Sequence, residues 1–344
     1  MNGDLFDLAD SFCLHSSQAS TTMRNSTFIH RRHSLRLLTV AMVAGLRGAT
    51  VAAEPIADAD GYLFSYFKGN GEDGLHLAWS PDGLAWESLN ADQPLTSPAV
   101  GGKLMRDPSI VRGPDGVYHM VWSSGWSDLG FGYSSSKDLI HWSEHRFVPV
   151  NVKIAGAKNT WAPDLFYDAA TQQFVMTYAT TIPGRFPETD AGGDQNHRLY
   201  WVMTRDFVTF SEPALALDPG YNCIDGTIVA MNGGLTMIYK DERPGQKKLH
   251  AVTTTGLGES WTKSTAPILE RDWVEGPTVL KVGDVWRLYF DCYNDGHFGA
   301  AESSDGIHWR DITASLKMPP GVRHGTAFAV PASILQPLRE LTGR

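Results

Sequence analysis

Ser80-Pro81-Asp82-Gly83-Leu84-Ala85-Trp86 and Ser136-Lys137-Asp138-Leu139-Ile140-His141-Trp142 agree position for position at Ser, Asp and Trp. Ser304-Asp305-Gly306-Ile307-His308-Trp309 repeats the Asp-to-Trp spacing, and Thr204-Arg205-Asp206-Phe207-Val208-Thr209-Phe210 is a weaker copy. The stretch from Gly256 to Trp261 holds the remaining slot in degenerate form. Five units of roughly 50 residues have the length of the small sheets that stand around an axis as propeller blades. In each turn the Asp is expected to bond local backbone amides, and the Trp to pack between blades.

Around each turn the same order of strands recurs. A motif-bearing strand comes first, then an aromatic-rich second strand, then a third that leads into the turn. The second strands Val117–Trp122, Phe174–Ala179, Leu235–Lys240 and Val285–Phe290 alternate or run apolar, as buried and half-buried strands do. Residues 62–67 and 75–79 lead to Trp86 with no motif strand before them, and Thr326–Val330 has no aromatic strands after it. Joining the two completes a fifth blade from both ends of the chain and removes an exposed sheet edge. The expected fold is therefore all-β, a five-bladed β-propeller closed by pairing N- and C-terminal strands in one blade. Residues 54–344 read as a single domain with no helix-length amphipathic pattern. The polar loop Pro183–Arg198 is the longest irregular stretch and is expected to sit on one face of the ring.

Composition narrows the function classes. The 344 residues include 11 Trp and 34 Gly, which favours many short strands and tight turns over helices. A formal charge of −9 argues against a nucleic-acid or anionic-membrane partner and suits a neutral sugar. Residues 1–53 read as an export leader, with Met23 an alternative start. Arg24, Arg31, Arg32 and Arg36 precede the apolar run Leu37–Leu46, and Val51-Ala52-Ala53 offers small residues for cleavage before Glu54. Arg31-Arg32-His33-Ser34-Leu35-Arg36 has a twin-arginine pattern, and the apolar run is too short to span a bilayer as a helix. The expected location is periplasmic or extracellular. Cys13 falls in the leader, so Cys223 and Cys292 remain, read as separate buried thiols.

The chemistry-bearing residues lie in four short motifs that open first strands: Arg106-Asp107-Pro108, Trp161-Ala162-Pro163-Asp164, Ile224-Asp225-Gly226 and Glu275-Gly276-Pro277. Arg323-His324-Gly325 follows near the C-terminus. First strands of propeller blades line the central channel, so Asp107, Asp225, Glu275 and His324 should meet at one end of the axis. Asp164 sits a little further along its strand. Carboxyls forced together spread their pKa values apart. One stays charged and can activate water; another keeps its proton and can give it to a leaving oxygen. Glycosidic bond cleavage needs that division of labour.

At these motifs, in this order over about residues 62–330, the chain resembles glycoside hydrolase family 43, five-bladed propeller enzymes acting on arabinose-, xylose- and sometimes galactose-containing glycans. The resemblance implies an inverting hydrolase with Asp107 as general base, Glu275 as general acid, and Asp225 orienting and tuning that acid. Inversion implies base and acid carboxyls about 6.5–9.5 Å apart. It also implies that His324 faces a calcium or a water cluster on the axis through waters, a structural ion at most, with no cofactor needed for the chemistry. Asp164, Arg323, Trp126, Trp161, Tyr221 and Trp273 are the candidate substrate-binding residues, the aromatics as sugar-stacking platforms or walls. Gly226 stands where the family commonly has Pro, a change expected to loosen that turn. The implied partner is an oligo- or polysaccharide bearing terminal α-L-arabinofuranosyl, β-xylosyl or β-galactosyl units. Two other readings compete. Sucrose- and fructan-cleaving propellers share Arg-Asp-Pro but need Asn-Asp-Pro and Glu-Cys motifs that this chain lacks. A non-catalytic carbohydrate-binding propeller would not need the three carboxyls.

Overall fold

The computed structural model describes residues 60–190 and 195–343; the expected export leader lies outside them. Five antiparallel sheets stand around one axis. The first holds β1 (Gly61–Tyr66), β2 (His76–Ser80) and β3 (Glu87–Ser88). The second holds β4 (Arg106–Arg112), β5 (Tyr118–Ser123), β6 (Phe131–Ser136) and β7 (Arg146–Val148). The third holds β8 (Trp161–Asp168), β9 (Gln173–Thr181), β10 (His197–Thr204) and β11 (Ala214–Leu217). β12 (Cys223–Met231), β13 (Gly234–Asp241) and β14 (Leu249–Thr254) form the fourth. β15 (Glu275–Val282), β16 (Val285–Cys292), β17 (His297–Ser303) and β18 (Arg310–Asp311) form the fifth.

β19 (Ala327–Val330) then returns to the first sheet, Val330 opposite Gly61 and Ala327 opposite Phe64, giving the order β19-β1-β2-β3. The innermost strands β4, β8, β12, β15 and β19 touch in sequence, and β1 meets β4 to close the ring. Ser65 Oγ seals that joint by donating to the Pro108 carbonyl at 2.6 Å. This is the five-bladed propeller read from the repeats, closed in one blade by both ends of the chain.

The repeated turn works as a local brace. Asp82 Oδ1 accepts the amides of Leu84 and Ala85 at 2.8 and 3.0 Å. Asp138, Asp206 and Asp305 take the corresponding pairs of amides in their blades. Trp86 is buried edge-on against Phe64 and Tyr289, so its ring fills the space between the first and fifth sheets. The core is a series of such inter-sheet clusters rather than one central mass. Cys223 and Cys292 are buried and free.

Two features differ from expectation. Four of the sheets carry an outer fourth strand beyond the three read from each repeat, and the fourth sheet lacks it because the segment after Trp261 meets β14 out of step. Thr262, Thr265 and Ile268 donate to Thr253, Ala251 and Leu249, three residues advancing against two, so no regular ladder forms. The chain also ends in a helix, α1 (Ala332–Arg339), where none was expected. Eight residues with Pro337 inside carry little helical propensity. The helix instead rests on tertiary burial of Leu335 and Leu338 against Leu63, Leu77 and Val330. Among the described residues no helix is long and apolar enough to cross a membrane.

Candidate active site

Four of the five innermost strands slip register at one place: β4 between Arg106 and Ser109, β8 between Trp161 and Asp164, β12 between Ile224 and Thr227, β15 between Glu275 and Thr278. The second residue of each bulge has left-handed backbone, at φ 54° for Asp107, 45° for Ala162, 55° for Asp225 and 57° for Gly276. A bulge re-aims its side chains, and left-handed backbone at residues other than glycine marks sites where strain is retained for function. Arg323-His324-Gly325-Thr326 lies in the same alignment, with Arg323 bridged to Phe67 as Arg106 is paired to Ser123. The bulge therefore gives each blade a set of addresses. Asp107, Asp225 and His324 occupy the second, Glu275 and Arg323 the first, and Asp164 the fourth.

The second-address groups meet. His324 Nδ1 lies 3.3 Å from Asp107 Oδ1 and 3.9 Å from Asp225 Oδ2. Ser123 Oγ donates to Asp107 Oδ2 at 2.7 Å, and the Gly276 amide donates to Asp225 Oδ2 at 3.0 Å. Glu275 has a cation on each oxygen, Lys240 Nζ at 2.9 Å from Oε2 and Arg323 Nη2 at 3.3 Å from Oε1. Arg323 in turn donates through Nε to Asp291 at 2.6 Å.

These contacts divide the charges. Burial favours a neutral Asp107, but the hydrogen bond and charge of His324, with Arg106 and Ser123, hold its carboxyl below the usual range. Burial works against charge on His324 too, yet Asp107 first, then Asp225 and Glu275, raise it to about 9. Asp225 goes the other way. Burial pushes it up to about 7 against the pull of His324, and the negative charge of Glu275 adds to the rise. One carboxyl is thus an ion pair and its neighbour is poised between states near neutral pH.

A pocket of about 240 Å³ opens over this cluster, lined by Asp107, Asp225, Glu275, His324, Arg106, Ser123, Trp126, Trp161, Gln195 and Glu242, among others. Trp126 and Trp161 form an aromatic corner. Their rings meet edge to face at 5.8 Å, and the Trp161 indole N–H donates to the Trp126 carbonyl at 2.7 Å. The Arg106 guanidinium is stacked between Trp126 and Phe67, at 4.3 and 4.6 Å. Asn70 Oδ1 accepts from both Arg106 and the Trp126 indole, each at 3.1 Å.

Four of the expected binding residues lie elsewhere. Asp164, at the fourth address, accepts from Ser109 Oγ at 2.9 Å between blades; burial pushes it up to about 6. It sits off the pocket because it is two residues beyond the second address. Tyr221 is packed in the core beside the fourth sheet, its hydroxyl 2.9 Å from that of Tyr239 and its ring under Arg243 at 3.9 Å. Arg323 acts on the pocket through Glu275 and Asp291 without lining it. Trp273 is 47% exposed outside the lining, edge-on to Tyr293 at 5.9 Å. Gly226 also has a different role from the expected loose turn. A Cβ there would lie 2.5 Å from Leu199 Cδ1, and its carbonyl is held by Thr177 Oγ1 at 2.6 Å, so the glycine makes room for packing. As for an axial ion, among the described residues no three His, Cys, Asp or Glu side chains are grouped to hold a metal. His324 turns Nδ1 to Asp107.

Sequence reasoning missed Lys240, Glu242, Asp291, Ser123 and Asn70. Three of these share one signal. Ser123, Lys240 and Asp291 are the cross-strand partners of Arg106, Ile224 and Glu275, each a polar residue near the end of a buried second strand.

A family model described as a probable glycosyl hydrolase domain matches residues 57–334. An α-L-arabinofuranosidase of Bifidobacterium longum is 28% identical over 222 residues, a match that takes in 55% of this chain but only 20% of that relative. Among solved structures, an α-L-arabinofuranosidase from Lactobacillus brevis is similar at 20% identity and a TM-score of 0.48, covering 60% of this chain and 72% of that one. The catalytic domain of a family 62 α-L-arabinofuranosidase from Coprinopsis cinerea is similar at 16% identity and a TM-score of 0.49, over 68% and 76% of the two chains. With the family model spanning the whole ring and its five motifs, the chain belongs to the glycosyl hydrolase 43-related family.

Proposed function

We propose that the chain is an inverting glycoside hydrolase that removes terminal α-L-arabinofuranosyl or β-xylosyl units, or β-galactosyl units, from plant-type or algal polysaccharides. The observation that carries this reading is one small pocket holding Asp107 and Glu275 on different blades beneath an aromatic corner. Asp107, kept ionised by His324, accepts a proton from the attacking water. Glu275 supplies the proton to the leaving oxygen, and Asp225 holds the Gly276 amide that follows it in the chain. Trp126 and Trp161 offer faces and edges to sugar C–H surfaces. A pocket of about 240 Å³ suits a single terminal unit better than the middle of a chain. The name of the Bifidobacterium relative favours arabinofuranosyl units, and the leader-like residues 1–53 favour export.

The test is a panel of aryl α-L-arabinofuranosides, β-xylosides and β-galactosides, with the configuration of the released sugar followed by NMR. Turnover of one member with inverted product is expected. Retained configuration, or oligosaccharide binding without any turnover, would overturn the proposal. On the cleaved glycoside, Asn70→Ala should raise KM roughly fivefold, the equivalent of about 1 kcal/mol from lost hydrogen bonds to Trp126 and Arg106. Its kcat should stay near that of the wild type, because Asn70 lies on the aromatic wall and not among the carboxyls. An equal fall in kcat would show that the wall does more than bind.

A further inference from the structure

Lys240 is the one lysine in β13 and is 1% exposed, a position lysine rarely takes without partners. Its ammonium has two carboxylates at nearly equal distance, Glu275 Oε2 at 2.9 Å and Glu242 Oε2 at 2.7 Å. The Tyr293 hydroxyl lies 3.3 Å away and the Tyr293 ring 4.4 Å away. Glu242 lines the pocket and also pairs with Lys247. Glu275, Lys240 and Glu242 thus form a carboxyl–ammonium–carboxyl row that ends at the group assigned as acid.

We propose that Lys240 and Glu242 are a positioning pair for Glu275: the ammonium leans to Glu242 while Glu275 carries its proton, and to Glu275 once that proton has gone to the leaving oxygen. The inference rests on the reading of Glu275 as the acid. In the step itself, the glycosidic C–O bond breaks with its electron pair going to oxygen, which takes the proton of Glu275. Water oxygen bonds the anomeric carbon and yields its proton to Asp107. Asp107 then releases a proton to solvent and Glu275 regains one. The acid therefore alternates between neutral and anionic forms in a partly buried place, and each form needs a different amount of cation beside it. An ammonium shared between two carboxylates meets both needs with a small shift. Burial disfavours charge on Lys240, yet Glu275 and Glu242 hold it above its ordinary pKa, so it remains a cation throughout.

The other charged groups around Glu275 have anchors of their own. Arg323 holds buried Asp291 through Nε at 2.6 Å while Nη2 reaches Glu275 at 3.3 Å, His324 pairs with Asp107, and Asp225 accepts from the Gly276 amide. Tyr293 contributes a neutral hydroxyl and ring.

The test compares pH profiles of kcat/KM for the full chain and for Lys240→Met, Glu242→Gln and Lys240→Arg, on a cleaved glycoside with a poor leaving group. A cation beside a carboxylate favours the anion, so its removal lets the acid work to higher pH. Lys240→Met should move the alkaline limb up by about one pH unit or more. Glu242→Gln leaves the ammonium wholly on Glu275 and should move the same limb down. Lys240→Arg should restore the wild-type limb. Limbs that stay in place while rates fall, or that move in the same direction in both charge-removing variants, would overturn the pair. If Lys240→Met does not fold, Glu242→Gln decides alone, since its side chain is partly exposed at the pocket edge. Wild-type turnover that is lost in Glu275→Gln, with unmoved limbs, rejects only this proposal. A wild-type chain that cleaves no glycoside rejects the hydrolase reading and this one with it.

Discussion

Glu275→Gln is expected to lower kcat by about 10²–10⁴ on a glycoside with a poor leaving group, the usual worth of a general acid. The loss should shrink towards wild-type rates on a nitrophenyl glycoside, whose leaving oxygen departs without a proton. Asp107→Asn should cost a similar factor on both substrates, since every leaving group still needs an activated water. The asymmetry follows from where the two carboxyls sit. Asp107 is fixed by Ser123 Oγ at 2.7 Å and paired with His324, the placement of a group that stays anionic until it takes a proton. Glu275 lies between Lys240 and Arg323, at the first address of its bulge. Steady-state rates on the paired substrates check both assignments. Equal losses for Glu275→Gln on the two leaving groups would remove it as the acid, and leaving-group sensitivity in Asp107→Asn would suggest that the roles are exchanged.

Gly276→Ala is expected to damage stability and activity together. A Cβ on this residue would lie 2.4 Å from Cγ of His324 and 2.6 Å from its Cδ2, and that ring is paired to Asp107 and cannot swing away freely. The backbone at φ 57° adds about 1–2 kcal/mol for any residue with a Cβ. Overpacking of this kind costs a further ~1–3 kcal/mol. Together they should lower Tm by several degrees, about 2–4 °C for each kcal/mol in a chain of this size class. Displacing His324 would also loosen Asp107, and the Gly276 amide would lose its aim at Asp225. A thermal melt alongside kcat at low temperature separates the two effects. A variant with wild-type Tm and rate would show that the ring shifts at little cost and that the close approach is incidental.

Much of this architecture is legible in the chain because its signals are local. An Asp two residues after a Ser or Thr, bonding the next amides, needs only its own turn, so four blades announce themselves in Asp82, Asp138, Asp206 and Asp305. The convergence of Asp107, Asp225, Glu275 and His324 follows from those repeats. What stays hidden depends on register. That Asp164 lies further along its strand is visible in its motif, but only the bulge register shows that two addresses are enough to take it off the pocket. Lys240 and Asp291 become site residues only once β13 and β16 are aligned against their bulged partners. Tyr221 and Trp126 are indistinguishable as aromatic letters, yet one is tied to Tyr239 in the core and the other is stacked on Arg106 at the pocket. The helix α1 is held by contacts with the first blade, far away in sequence, and its short amphipathic pattern is masked by Pro337.

The return of β19 to the first sheet has a consequence for synthesis. A chain growing from its N-terminus at about 5–20 residues per second can stack its middle blades as they appear. The first blade must wait with the inner edge of β1 unpaired, because its partner is made last. The same late segment brings Arg323 and His324, the counter-charges of Glu275 and Asp107. Translation that stops anywhere before residue 323 therefore leaves an open ring in which Asp107 lacks its histidine partner. The proposed base and acid thus gain these counter-charges only with the strand that shuts the structure, and until then an incomplete product keeps an open sheet edge.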